Sequence, residues 1–163
     1  MYRILILFIF FISCTGNVYE KDLKEILHVN SVEIEESYSL DEGGGVRGDG
    51  YVIEVYKLSE NTIKLFKSNS QKTLPVIDSE WLKQDWASFP IDSNFNEVKS
   101  TVLDYSAFNE ELGNVINELQ KIVIKENSFY AFYCKPDTLS PFNVRFFILD
   151  VTDRKLYIVE HNL

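Results

Sequence analysis

The chain has 163 residues, with 16 Lys and Arg against 25 Asp and Glu, for a formal net charge of −9. That balance argues against a surface for nucleic acid or anionic lipid, since both need a basic footprint. A content of 45% hydrophobic and 14% aromatic residues is enough to fill one core, which excludes global disorder and fits a single domain.

The N-terminus sets Arg3 ahead of an unbroken apolar run, Ile4 to Ile12, followed by Ser13 and Cys14. Nine residues of helix cover about 14 Å, roughly half of a bilayer core, so the run is too short to span. A basic start, a short apolar stretch and a small residue before a cut site describe a secretory signal. Phe11-Ile12-Ser13-Cys14 resembles the lipobox of bacterial lipoproteins, with Phe11 where an aliphatic residue is usual. The resemblance implies that residues 1–13 are a signal peptide. It implies that Cys14 is thioether-linked to diacylglycerol, that residues 14–20 form a lipidated tether, and that the protein sits in the cell envelope. Two acyl chains or more give stable anchoring where one does not. Plain secretion, or a buried N-terminal strand without export, are the other readings of the same residues. Removal of Arg3 with the signal would leave 15 basic and 25 acidic residues, a net charge of −10. Lipidation of Cys14 would leave Cys134 without a partner in the chain; otherwise a Cys14–Cys134 disulfide is open in an oxidising compartment.

Residues 21–163 read as one α+β domain. In 21–29, Leu23, Ile26 and Leu27 share a helical face, which predicts a short N-terminal helix. Residues 31–40 alternate apolar and polar as a half-exposed strand, and 51–58 is its partner, followed by 63–66. Residues 68–100 lack a period and hold Pro75, Pro90, Trp81, Trp86 and Phe89. They predict a long loop with one helical turn near Trp81–Trp86. Residues 106–125 predict a long amphipathic helix with the stripe Phe108, Leu112, Val115, Ile116, Leu119, Ile122 and Val123. Ser106 or Asn109 is its cap and Asn127 its end. Residues 129–134 are apolar on both faces and predict a central strand. Residues 144–151 and 155–160 flank the turn Thr152-Asp153-Arg154. The expected architecture is an antiparallel sheet of five to six strands packed against one long helix and a short N-terminal one.

Five of the seven glycines fall in 43–50. Gly43-x-Gly45-x-x-Gly48 matches the dinucleotide fingerprint literally, but Tyr51 to Tyr56 beyond it are strand-like, and the fingerprint must open a helix. A wide hairpin loop is the plain reading. The functional reading is a recognition loop in which Asp41, Glu42, Arg47 and Asp49 present charge to a partner. Gly44-Gly45-Val46-Arg47-Gly48-Asp49-Gly50 also resembles a Gly-Gly-x-x-Gly-Asp-Gly signature of small uncharacterised bacterial proteins, which carries no activity with it.

Trp81 and Trp86 are candidates for a ligand-binding aromatic platform, although large aromatics more often fill a core. Cys134 with His161 is the only conceivable thiol–imidazole pair, and a buried thiol is inert. With His28 and His161 as the only histidines, metal sites and His-based triads lack material, and no cofactor is implied. The sequence thus points to a non-enzymatic, lipid-anchored module for a protein partner with a basic surface, of the immunity-protein or inhibitor type. The rival is an envelope enzyme or carbohydrate binder using aromatics and carboxylates.

Overall fold

A computed structural model describes residues 16–43, 50–136 and 143–162. In chain order the elements are α1 (Gly16–Leu27), β1 (Ile34–Gly43), β2 (Gly50–Leu58), α2 (Glu60–Ser68), β3 (Leu82–Ser88), a short 3-10 turn (Ser93–Phe95), α3 (Asn96–Leu103), α4 (Glu110–Ile122), β4 (Ser128–Lys135), β5 (Asn143–Asp150) and β6 (Lys155–Asn162). The class is α+β. The six strands form one antiparallel sheet in the order β1-β2-β6-β5-β4-β3.

Strands β4, β5 and β6 are apolar on both faces, so both faces of the sheet must be covered. On the first face, Tyr51, Ile53, Phe132, Phe146, Ile148 and Val159 join one core with Val102 of α3 and Leu112, Ile116 and Leu119 of α4. On the second, Ala131, Phe147, Leu149, Leu156 and Ile158 join another with Leu23, Ile26 and Leu27 of α1 and Ile63 and Phe66 of α2. The result is three layers, helices on either side of a sheet.

Helix α4 begins at Glu110 because the Asn109 side chain accepts the Glu111 N–H at 2.8 Å, a cap that fixes the first turn. Phe108 therefore lies outside the helix and is 97% exposed, unlike the rest of the expected stripe. At 13 residues α4 is one residue longer than α1, so among the described residues no single helix dominates. Asn127 takes a left-handed φ of 62° beyond the helix end, where Asn is tolerated.

Three local expectations are corrected. Residues 63–66 belong to α2, whose start is capped by Ser59 accepting the Thr62 N–H at 3.2 Å. The stretch around Trp81–Trp86 is strand β3 rather than a helical turn, and 68–100 also contains most of α3. Helix α1 starts at Gly16, so residues 16–20, read as tether, are helical.

Candidate functional site

The two edges of the sheet are treated differently. Strand β3 has seven residues and a register shift between Gln84 and Ala87. Its flank is covered by the preceding chain. The Trp86 N–H donates to the Lys72 carbonyl at 3.1 Å, the Leu74 N–H to Asp85 Oδ1 at 2.8 Å, and Lys83 Nζ to the Leu74 carbonyl at 3.0 Å. Strand β1 has ten residues, and no main-chain hydrogen bond runs from its outer flank to another described residue. Such a flank is a template for another strand unless charge or cover blunts it.

Here charge is present. Glu36 and Asp41 are exposed and have no hydrogen-bond or ion-pair partner among the described residues. Glu35 is held by Arg154, whose two nitrogens donate at 2.6 and 3.1 Å. Glu42 is spent within the fold: Tyr105 Oη donates to it at 3.1 Å, and so does the Asn109 N–H. Burial alone would raise the Glu42 carboxyl, but these N–H and O–H donors hold it below its ordinary value. Glu42 thus ties the end of β1 to the start of α4.

On the second face, α1 crosses the strands. Its Tyr19 and Glu20 overhang β1 and β2, while the Ile26 carbonyl accepts the Trp86 indole N–H of β3 at 2.7 Å. Beneath the overhang, β1 presents Ser37 and Ser39, whose small side chains leave a groove of about 500 Å³. Its walls include Tyr19, Glu20, Glu54 and Tyr56. Tyr56 Oη donates to Glu54 Oε2 at 2.9 Å, and burial together with that bond raises the phenol well above its usual pKa. Aromatic faces beside carboxylates suit a cation. The one sequence signal for this site is Glu54, a carboxylate in the otherwise apolar run Tyr51–Tyr56.

The residues singled out from sequence are not gathered in one place. Asp41 lies on the exposed flank of β1 and Glu42 next to it. Arg47 and Asp49, like Cys14, lie outside the described residues. The strands that 44–49 connect are paired from Ile34↔Leu58 to Gly43↔Gly50, so the hairpin itself is present. Trp86 is a core residue, packed edge-on to Phe66, and its only side-chain N–H is spent on Ile26. That removes it from any exposed platform. Trp81 is half-buried, with Lys135 Nζ 5.4 Å from its ring centre.

Cys134 and His161 face the same side of the sheet, but they align with Val144 between them. Two inter-strand spacings put them about 10 Å apart, beyond proton-transfer reach. His161 Nδ1 is 3.0 Å from the Thr101 carbonyl, which only accepts, so Nδ1 carries the proton. Burial lowers the His161 pKa and raises that of the Cys134 thiol. Among the described residues there is no group of three potential metal ligands, and no helix is long and apolar enough to cross a membrane.

No protein-family model matches this chain, and comparisons with curated proteins and with solved structures find no significant relative.

Proposed function

We propose that this chain is a lipid-anchored protein of the bacterial envelope, non-enzymatic, which binds a protein partner through an acidic surface. The observation that carries the binding half is the β1 flank, which is open among the described residues, with Glu36 and Asp41, whose carboxylates have no partner among those residues. A net charge of −9 adds a long-range field that steers a basic partner toward it. Asp41 contacts the partner directly, Arg47 and Asp49 extend the contact along the glycine segment, and Glu42 holds the edge in place. An immunity protein or inhibitor facing a basic toxin is one concrete form. The anchoring half rests on the lipobox-like residues ending in Cys14.

Intact-mass spectrometry on protein extracted from bacterial membranes tests the anchor. The expected mass is that of residues 14–163 plus two or three acyl chains, and residues 1–163 without lipid refute it. The binding half is tested by capturing a partner at low salt and titrating salt. Capture should fall steeply with salt and weaken in Glu36→Gln/Asp41→Asn. A complex indifferent to both salt and these substitutions refutes the acidic-surface reading.

A second reading, a small-ligand binder for carbohydrate, is favoured by the groove walled by Tyr19, Tyr56, Glu20 and Glu54. It places the ligand there and not on Trp81 and Trp86. Sugar binding that is lost in Tyr56→Phe and unaffected by Glu36→Gln supports it over the first.

A further inference from the structure

Resting on the basic-partner reading above, we infer that the partner binds by strand addition: a basic, extended segment pairs with the outer flank of β1 and places an arginine or lysine in the groove beneath α1. Three observations meet at this edge. The flank of β1 is long and unpaired among the described residues, whereas the β3 flank is covered by Lys72–Leu74. An added strand lies about 4.8 Å outside β1, and every second side chain points to the second face. There Ser37 and Ser39 leave the way open to a groove walled by Tyr19, Tyr56, Glu20 and Glu54. Its chemistry is that of a cation site, with carboxylates for the charge and rings for the stem and the π-contact.

Charge also selects among occupants. Two copies of β1 pairing antiparallel about Ser39 would set Glu36 opposite Glu42. Like charges placed directly opposite are destabilising, so the strand repels itself. A strand whose alternate Lys or Arg side chains point to the second face meets Asp41, Glu20 and Glu54 there.

The test uses the full chain in detergent micelles and a capped eight-residue peptide alternating arginine and valine. A second peptide carries N-methyl groups on the amides of its pairing flank, which keeps the charge and blocks main-chain pairing. Hydrogen exchange read by mass spectrometry should show β1 amides that face away from β2 protected by the first peptide. The methylated peptide should bind at least about tenfold more weakly, the loss of about two net hydrogen bonds. Asp41→Asn and Glu54→Gln, which share the face of its arginines, should each weaken the first peptide about threefold. Equal binding of the two peptides overturns strand addition while leaving the acidic-surface reading standing. Failure of both peptides to protect β1 overturns the inference, and the salt titration above then decides the acidic-surface reading separately. Protection of β1 that grows with protein concentration in the absence of peptide assigns the flank to a second copy and likewise overturns it.

Discussion

The turn between β5 and β6 depends on one buried carboxylate. Asp150 is 1% exposed. Its Oδ1 accepts the N–H groups of Thr152 and Asp153 at 2.9 and 3.0 Å, and its Oδ2 accepts Lys125 Nζ at 2.9 Å. Asp150→Ala leaves both turn N–H groups without their acceptor. Bonds to a charged group contribute about 1.5–3 kcal/mol each, and water at the turn recovers part of that. The Lys125 side chain is 41% exposed and its ammonium also bonds Asp153, so its loss adds little. The expected cost is about 3 kcal/mol for Asp150→Ala and about 1.5 kcal/mol for Asp150→Asn, which keeps a neutral acceptor. For a domain of this size that is a fall in Tm of about 6–12 °C for the alanine variant. The pH dependence gives a second readout. Burial alone would raise the Asp150 carboxyl, but the Asp153 N–H, Lys125 and the Thr152 N–H outweigh it and hold the pKa below its ordinary value. Its contribution is therefore complete above about pH 5 and is lost as pH falls through about 3.9 toward the folded value. Urea unfolding followed by circular dichroism near pH 7 and near pH 3 should show the gap between wild type and Asp150→Asn closing in acid. A gap below about 0.5 kcal/mol for Asp150→Ala at pH 7, or one that does not change with pH, refutes this role for the carboxylate.

Trp86→Phe should cost about 1–3 kcal/mol in urea unfolding, because it strands the buried Ile26 carbonyl and trims the second core. A change within about 0.5 kcal/mol would return Trp86 to consideration as a surface group. In a Cys14→Ser chain, Cys134 is the one remaining thiol. Burial makes it unreactive toward Ellman's reagent until urea unfolds the sheet, and rapid labelling of native protein contradicts its placement. The His161 imidazole should titrate below about 6.5 by NMR. Because the unfolded chain takes that proton first, His161 lowers stability as pH drops below about 6.5, and an apparent pKa at or above that value sinks the assignment.

Much of the sheet was legible locally. Residues 144–151 and 155–160 carry strand runs about an evident turn, and 129–134 is apolar on both faces, as an interior strand requires. Strand β3 was hidden because its register shift breaks the period of two and its Trp86 reads equally well in a helix. Helix α2 was masked by its nine-residue length, although Ser59 was already present as a cap. The groove was beyond reach of pattern reading. Tyr19 and Glu20 meet Glu54 and Tyr56 only because α1 crosses the strands, and that crossing is fixed by Leu23, Ile26 and Leu27 in a core with residues from Tyr56 to Ile158, distant in sequence. The role of Glu42 was hidden for the same reason, since its donors, Tyr105 and Asn109, lie 63 and 67 residues further along.

The strand order has a consequence for how the chain matures. β6 is the last strand in the described residues, yet it stands between β2 and β5 and joins the β1–β2 hairpin to the β5-β4-β3 half within the sheet. As a nascent chain emerges, two half-sheets must wait with open flanks until residues 155–162 arrive to join them. Closure is thus a late, long-range event, which by contact-order reasoning slows folding. Under the export proposed above, that delay would serve the chain, because a sheet that cannot close early stays threadable.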